Sequence, residues 1–371
     1  MTRRPIRILV VDDSAVVRAM ICDAIAESPE MEVVGTAPNG RRAIEEFKST
    51  QPDVVTLDIR MPVMDGLEAL DSLLAIQPVP VIMVSALTQL GAEITLEALD
   101  RGAIEYLAKP ERGAEAEAVL KKDLINKIRH VAGTDVRRIL RIRRERKRRM
   151  VPFREKRHIP KKVSIDCPSE YADKCIAIGV STGGPPALAT LFESLVPPLP
   201  PMLVVQHMPP HFIRPLAARL DAASKLAIKE AVHGEPILPN HVYIAPGDKH
   251  MRVRSHDGAT KVFLRDGETV NSHKPSIDVT MKSAAEVFAD RCLGVIMTGM
   301  GSDGAEGCGA IRAAGGYVLG QDEASSDIYG MNKVAYLRGN VDQQFSLDDA
   351  SRVITRQAQL LWLNHHVATS R

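Results

Sequence analysis

The chain has 371 residues, of which 45% are hydrophobic and 25% charged, the composition of a globular protein with two or three domains. Its five cysteines are scattered without a CxxC pair, which argues against a disulfide scaffold and a cysteine zinc site. No apolar run reaches the roughly 18 residues that span a bilayer, and the first residues lack a signal-peptide pattern. We therefore expect a cytoplasmic protein with reduced thiols.

The net charge of +2 hides an uneven distribution of charge along the chain. Residues 137–162 carry 14 lysines and arginines but only two glutamates, whereas the sequences on either side are mildly acidic. Like charges at this density oppose packing into a core. We therefore predict a first domain over residues 1–130, a basic linker over 131–171 and a second domain over 172–365.

In the first domain, short apolar runs alternate with longer segments of helical spacing. The runs are IRILVV, MEVVGTA, PDVVTLDI, PVPVIMVSA and IEYLA. This alternation predicts a doubly wound α/β domain, in which helices cover both faces of a parallel sheet. In such sheets, ligands bind at the carboxyl ends of the strands.

Polar side chains follow four of the predicted strands. They are Asp12 and Asp13 after the first strand, Asp58 after the third, Ser85 after the fourth and Lys109 after the fifth. Three carboxylates in one crevice repel one another, and Mg²⁺ would relieve that repulsion. Lysine and serine would orient phosphoryl oxygens, and Asp58 would be the nucleophile that forms an acyl phosphate. Taken singly, an acidic or hydroxyl residue at such a place is equally typical of a helix cap.

The segments VVDDS, LDIRMPVMDG, VSA and YLAKP resemble the receiver domain of two-component response regulators. The resemblance covers residues 5–125 and implies a flavodoxin-like fold and phosphorylation of Asp58 by a histidine kinase. It also implies functional residues beyond Asp58: Asp12 and Asp13 as Mg²⁺ ligands together with Asp58, and Ser85, Tyr106 and Lys109 as the switch. Without the resemblance, Tyr106 would be interpreted as an ordinary aromatic residue of the core or of a sheet edge.

In the second domain, three apolar runs each lead into a chemically suggestive turn. KCIAIGV leads to Ser181, MLVVQ to His207, and CLGVIM to the glycine-rich turn that holds Asp303. At one edge of a parallel sheet, these side chains would lie within hydrogen-bond reach of one another, as an activated serine nucleophile requires. Ser181 also lies in a G-x-S-x-G pattern, and N–H groups of the following helix would stabilise an oxyanion. The chain order Ser, His, Asp is not that of α/β-hydrolases.

Each of these features has a simpler interpretation. The turn at Ser181 is also typical of a helix cap or an anion-binding loop, and a histidine after a strand is often structural. A metallohydrolase is a further alternative because the domain has several histidines. Pro209 and Pro210 separate His207 from His211, however, which argues against a helical zinc pair. We expect no metal or other cofactor in this domain.

The segments IGVSTGGPPAL, VVQHMPPHF, VIMTGMGSDGAEG and QDEASSDIYGMNKVA resemble the catalytic domain of chemotaxis protein-glutamate methylesterases, the CheB family. The resemblance covers nearly all of residues 175–340 and implies a Rossmann-like, three-layer α/β/α fold. It implies that Ser181 is the nucleophile, His207 the base and Asp303 the acid that orients the base. It also implies oxyanion or substrate contacts, which in this chain are Thr182, Gly183 and Met300. The implied reaction is hydrolysis of glutamate γ-methyl esters on the cytoplasmic domain of a chemoreceptor, with deamidation of glutamine at the same site.

The resemblance has departures, and two functional questions stay open. Asp327 stands at an apolar position of the family and Asn332 where proline is usual, so we expect residues 325–336 to reshape the substrate groove. The alternative to an enzyme is a receiver-gated, non-catalytic binding module, against which the presence of all three triad residues weighs. The linker is either a solvated spacer or a docking segment for an acidic partner or membrane surface. We expect no nucleic-acid partner, because no helix-turn-helix pattern is present.

Overall fold

The computed structural model describes residues 4–86, 88–109, 114–154, 171–256 and 258–362. The chain divides into two compact units, Met1–Arg148 and Arg149–Arg371. None of the helices in these described ranges combines the length and apolar character needed to cross a bilayer.

The first unit is built on a five-stranded parallel sheet with strand order β2-β1-β3-β4-β5. Its elements are β1 (Ile6–Val11), α1 (Ala15–Ala26), β2 (Met31–Ala37), α2 (Gly40–Thr50), β3 (Val54–Asp58), α3 (Gly66–Ile76), β4 (Val81–Ser85), α4 (Gln89–Arg101), β5 (Glu105–Ala108), α5 (Ala114–Val131) and α6 (Val136–Arg154). Every residue of β3 and β4 is buried, as expected for central strands with helices on both faces. The predicted doubly wound α/β fold is confirmed for this unit.

The helices that follow the strands begin at residues with short polar side chains. Ser14, Asn39, Asp65 and Thr88 each accept a hydrogen bond from a backbone N–H in the first turn of α1, α2, α3 and α4, respectively. Such caps satisfy N–H groups that have no partner within the helix. The local sequence therefore determines where each chain segment leaves the sheet edge and turns into a helix.

The first part of the predicted linker is a helix that packs on the first unit. Val136, Ile139 and Leu140 in α6 are buried, and their spacing forms an apolar stripe on one helix face. On this helix, the guanidinium of Arg143 donates a hydrogen bond to the carbonyl of Leu99 at 2.7 Å. This compact unit therefore reaches Arg148, further than the predicted boundary at residue 130.

The reason for the difference is that charge density and burial lie on different faces of α6. Arg137, Arg141 and Arg144 are exposed, while the apolar stripe is buried against the first unit. A high local charge therefore does not prevent this helix from packing. Residues 155–170 of the predicted linker lie outside the described residues. The acidic partner or membrane surface proposed for the linker stays a prediction.

The second unit contains a seven-stranded parallel sheet with strand order β14-β13-β12-β6-β7-β9-β8. Its elements are β6 (Cys175–Val180), α7 (Gly184–Ser194), β7 (Met202–Gln206), α8 (Pro210–Ala223), β8 (Ala227–Glu230), β9 (His241–Ile244), β10 (His250–His256), β11 (Ala259–Arg265), α9 (Ile277–Phe288), β12 (Cys292–Ile296), α10 (Ala305–Ala313), β13 (Tyr317–Gln321), α11 (Met331–Leu337), β14 (Gln343–Phe345) and α12 (Ala350–Trp362). Helices α7, α8 and α12 pack together, as do α9, α10 and α11. The predicted α/β class with a doubly wound parallel sheet is confirmed here too, and the antiparallel β10-β11 hairpin is an addition that the sequence analysis did not anticipate.

The order of the three central strands brings the predicted site residues to one edge of the sheet. β6 lies between β12 and β7, and Val180 in β6 pairs with Gln206 in β7. Ser181 and His207 directly follow β6 and β7, and neighbouring strands in a sheet lie about 4.8 Å apart. Asp303 lies in the loop after β12, at the same carboxyl edge.

Val63 is expected to limit the stability of the first unit. It lies between β3 and α3 with a φ angle of 72°, and 76% of it is exposed. A β-branched residue is strained in the left-handed region, whereas asparagine tolerates it. We expect Val63→Asn to raise the free energy of unfolding by about 1 kcal/mol, measured by chemical denaturation of the full chain.

The control for this prediction is Val16→Asn. Val16 is 78% exposed but lies in the first turn of α1, where its backbone is helical. This variant should leave stability unchanged or lower it. An equal effect of the two substitutions would contradict backbone strain at Val63.

Candidate active site and receiver site

Three carboxylates and one ammonium meet at the carboxyl edge of the first sheet. Asp12, Asp13 and Asp58 each place one oxygen within 4.8 Å of those of the others. Nζ of Lys109 lies 2.9 Å from Oδ2 of Asp12 and 2.9 Å from Oδ2 of Asp58. Burial raises the pKa of Asp58 from 3.8 to about 6; the hydrogen bond from Lys109 opposes this rise and the charge of Asp12 adds to it.

These residues fit a magnesium ion. All three donors are carboxylate oxygens, which Mg²⁺ prefers, and the charge of Asp12 adds to the effect of burial in raising the pKa of Asp58, so a nearby cation would favour the ionised cluster. Asp12, Asp13 and Asp58 would hold the ion, which would supply positive charge beside an incoming phosphoryl group. Lys109 would pair with the phosphoryl oxygens.

The other predicted switch residues contact neighbouring elements rather than this cluster. The Ser85 hydroxyl lies 3.2 Å from the carbonyl oxygen of Gly91 in α4. Tyr106 is buried, and Nζ of Lys127 lies 4.5 Å from the centre of its ring and 2.6 Å from its carbonyl oxygen. Lys127, which the sequence analysis did not single out, therefore ties α5 to the tyrosine of β5.

The second site is centred on a buried contact between His207 and Asp303. Nε2 of His207 lies 2.9 Å from Oδ2 of Asp303, and the two side chains are 7% and 0% exposed. Nδ1 of His207 is buried without a hydrogen-bond partner among the described residues. The ring therefore has one nitrogen on the carboxylate and one available to a third group.

Asp303 is held ionised by its hydrogen-bond donors. Burial by itself raises the pKa of this carboxyl, but the hydrogen bond and charge of His207, with further bonds from Asn271 and the N–H of Ile277, lower it below the ordinary value. The hydroxyl of Ser276 and the N–H of Asp278 also donate to it, at 2.8 and 3.2 Å. At neutral pH, the ionised Asp303 therefore accepts a hydrogen bond from Nε2 of His207.

Ser181 follows β6 directly beside this pair. The N–H of His207 bonds the carbonyl of Val180 at 3.2 Å, and Nε2 of Gln206 lies 3.1 Å from the carbonyl oxygens of both Ser181 and His207. No hydrogen bond between described residues joins the Ser181 hydroxyl to His207. The backbone thus places serine and histidine side by side, while the side-chain contact that is formed is the one between histidine and aspartate.

Backbone groups around Ser181 offer places for a negatively charged oxygen. Gly183 caps α7 with a φ angle of 77°, a conformation that suits glycine and turns the chain sharply after the serine. A Cβ on Gly299 would lie 2.7 Å from that of Ser181, so only glycine lets this strand end approach so closely. Within the described residues, the next N–H, that of Met300, donates no hydrogen bond.

Asn332 and Asp327, which depart from the family pattern, lie in different parts of the second unit. Asn332 is 1% exposed, and its amide donates to the carbonyl of Gln321 and the hydroxyl of Ser326, so it supports the interior. Asp327 lies against the turn that follows Ser181, because a Cβ on Gly183 would meet its Oδ2 at 2.8 Å. Of these two, only Asp327 borders the turn that holds Ser181.

His273 adds a third group to the pair, and the trio has the donor types of a metal site. His207, His273 and Asp303 offer ligand atoms within 4.8 Å of one another. The two rings are nearly parallel, however, with centres 3.8 Å apart and an angle of 11°, so their in-plane lone pairs do not converge. The oxygens of Asp303 are already engaged by several donors. The arrangement suits an acid–base pair better than a metal centre.

Sequence reasoning missed several residues of this site. Gln206, Asn271, His273 and Asp278 are each separated from the strand-end turns or hidden within a strand. One available signal was the Asn271-Ser272 pair, since asparagine and serine favour turns. No pattern in the sequence links that turn to His207.

Comparison with known proteins agrees with this description. Residues 8–121 match the family described as response regulator receiver domain, and residues 176–354 match that described as CheB methylesterase. The chain is 41% identical over 353 residues to a protein-glutamate methylesterase/protein-glutamine glutaminase of Pectobacterium atrosepticum, covering 95% of this chain and 97% of that protein. It is 42% identical to a protein of the same name from Pyrococcus abyssi, which it covers fully.

Two solved structures from Thermotoga maritima are similar to separate parts of the chain. The crystal structure of its CheB methylesterase catalytic domain is 37% identical, with a TM-score of 0.49, and the match covers 50% of this chain and 98% of that domain. The crystal structure of the CheB response regulator domain is 44% identical, with a TM-score of 0.33, over 36% of this chain and 99% of that domain.

The raised pKa of Asp58 predicts a pH-dependent stability. Between pH 3.8 and about 6 the folded protein keeps a proton that the unfolded chain releases, so the free energy of unfolding falls as pH rises through this window. Asp58→Asn should therefore raise the free energy of unfolding at pH 7 by about 1–3 kcal/mol in EDTA, with the gain vanishing near pH 4. Denaturation at both pH values measures it.

Magnesium and a second substitution provide the controls. Added Mg²⁺ should shrink the gain from Asp58→Asn, because the cation stabilises the native carboxylates. Asp13→Asn removes an exposed carboxylate of the same cluster and should change stability much less. A gain of the same size at pH 4 and pH 7 would rule out the buried charge as its cause.

Proposed function

The chain belongs to the family of protein-glutamate methylesterases/protein-glutamine glutaminases, and from this membership we propose that it demethylates chemoreceptors with Ser181, His207 and Asp303 under the control of Asp58. The substrate is a glutamate γ-methyl ester on the cytoplasmic domain of a chemoreceptor, and the products are glutamate and methanol. The proposed location is accordingly the cytoplasm.

The observation that carries the proposal is the buried His207–Asp303 contact beside Ser181. A histidine with one nitrogen on an ionised carboxylate and the other unpartnered is oriented to act as a base. Val180 and Gln206, the residues before Ser181 and His207, pair on adjacent strands, which supports Ser181 as the nucleophile that this base would serve. A binding module would not need a buried carboxylate held in its ionised form behind the histidine.

In the first half of the reaction, the Ser181 hydroxyl attacks the ester carbonyl carbon. Nδ1 of His207 accepts the hydroxyl proton, while Asp303 keeps the proton on Nε2 and stabilises the imidazolium that forms. The N–H of Met300 and the turn at Thr182 and Gly183 donate to the tetrahedral oxyanion, and each well-placed donor contributes about 3–4 kcal/mol. The ester C–O bond then breaks, and methanol leaves with the proton from His207.

The second half hydrolyses the acyl-enzyme. His207 takes a proton from water as the water oxygen attacks the acyl carbon, and the Ser181 oxygen leaves with that proton. Glutamine reacts through the same tetrahedral intermediate, with ammonia as the leaving group. One site thus accounts for both activities in the family name.

Control by phosphorylation rests on the first unit. A histidine kinase would donate the phosphoryl group, and Asp12, Asp13 and Asp58 would hold Mg²⁺ for the transfer. Phosphorylation of Asp58 would change the contact that its carboxylate now makes with Lys109, and Ser85 and Tyr106 would respond. We propose that this response relieves inhibition of the esterase.

Ser181→Ala is the first test. It should abolish methanol release from a methylated receptor and leave the fold intact, because only the attacking oxygen is removed. A fluorophosphonate probe should label Ser181 in the unaltered protein, and His207→Ala should suppress that labelling. Near-normal turnover by Ser181→Ala would exclude the serine mechanism.

Asp58→Asn tests the control. A small-molecule phosphodonor with Mg²⁺ should raise methanol release by the unaltered full chain and leave that of Asp58→Asn unchanged. Full activation of this variant would contradict phosphorylation at Asp58. Without phosphodonor, the two proteins should release methanol at equal rates, and this basal rate is the reference for activation.

A further inference from the structure

A short turn between β11 and α9 contacts both members of the His207–Asp303 pair. It spans Val270 to His273, and these two residues exchange a pair of backbone hydrogen bonds of 3.0 Å that closes the turn. Its central residues, Asn271 and Ser272, both have left-handed φ angles, of 52° and 65°. Asparagine tolerates this region but serine rarely adopts it, so the strain falls on Ser272, and such strain is retained where surrounding contacts impose it.

The amide of Asn271 lies between two buried carboxylates. Its Nδ2 is 2.6 Å from Oδ2 of Asp278 and 3.1 Å from Oδ1 of Asp303, and these two side chains are 1% and 0% exposed. Buried like charges repel, so a neutral group that donates one N–H to each stabilises both at once. Asn271 therefore helps keep Asp303 ionised in the place where His207 meets it.

The ring of His273 lies flat on the ring of His207, with centres 3.8 Å apart. Nδ1 of His273 is 2.6 Å from the carbonyl oxygen of Asn271, so this nitrogen carries a proton and donates it to the turn's own backbone. A histidine bonded only through Nε2 can still rotate about its ring torsion, which has broad minima. The stacked ring removes that freedom and fixes the plane in which Nδ1 points.

We propose that the Val270–His273 turn is a positioning element for the catalytic base, in which Asn271 holds the carboxylate and His273 holds the imidazole plane. The inference rests on the proposed role of His207 as the base. Neither Asn271 nor His273 is assigned a contact with the substrate. The turn would therefore affect the orientation of His207 during proton transfer, and it would not affect binding of the ester.

The test measures kcat and KM for methanol release by the full chain with phosphodonor. His273→Ala should lower kcat about 10- to 100-fold and leave KM within about twofold, because a tilted base slows the chemical step alone. His273→Phe keeps a flat ring and should restore kcat to within about threefold. Asn271→Ala should lower kcat about tenfold or more, again with little change in KM.

Matched controls come from the same unit of the chain. His241 also stacks on an aromatic ring, that of Tyr243, and its Nδ1 is also bonded to a backbone carbonyl two residues away, at 2.9 Å. Asn240 is likewise a left-handed asparagine whose side chain bonds a neighbouring segment. His241→Ala and Asn240→Ala should leave kcat unchanged per folded molecule, with folding followed by circular dichroism and thermal denaturation.

The outcomes separate this inference from the proposed function. Unchanged kcat in His273→Ala, or a kcat in His273→Phe as low as in His273→Ala, would overturn the stacking role. A raised KM with unchanged kcat would overturn it as well, since His273 would then act on the substrate. Turnover by Ser181→Ala in the same assay would instead remove the serine mechanism. Where folding is weakened, the rate of fluorophosphonate labelling of Ser181 in the folded fraction gives the same comparison.

Discussion

Burial of the Asp303 carboxylate is the constraint around which the second unit's site is organised. A buried ionised carboxylate is strongly destabilising unless hydrogen-bond donors surround it. The donors come from three directions: the start of α9, the turn before it and His207 in the loop after β7. Each must converge on one point, so the position of the imidazole follows from the need to satisfy the carboxylate. The positive end of the α9 dipole adds to the same effect.

The two units treat buried carboxylates in opposite ways. Around Asp303, donors exceed what burial demands, and its pKa is lowered, which suits a group that stays ionised while it holds a histidine. Around Asp58, burial and a neighbouring carboxylate outweigh Lys109, and its pKa is raised to about 6. A divalent cation at these carboxylates would offset the cost of ionising Asp58. The first arrangement favours orientation, and the second favours binding and reaction.

The sequence predicted much of both sites because parallel sheets collect the residues that follow their strands at one edge. Asp12, Asp58 and Lys109 follow different strands and meet, as expected. The His207–Asp303 contact was expected on the same grounds, and the paired strand ends place Ser181 beside it. The packing of α6 was not anticipated, because the count of arginines concealed an apolar stripe of three residues. Average charge over a segment carries no information about which face of a helix it occupies.

By itself, the sequence determined the α/β class of both units, the strand-end positions of the chemically active side chains and the family, because alternating apolar runs and short motifs are local properties of the chain. Only the tertiary structure decided which nitrogen of His207 meets Asp303, that Gln206 links the serine and histidine backbones, and that a turn some 65 residues after His207 stacks a second imidazole on it. These contacts join segments distant in the chain through a strained turn and a buried carboxylate. Their geometry depends on how the whole sheet and its helices pack, which no local pattern encodes.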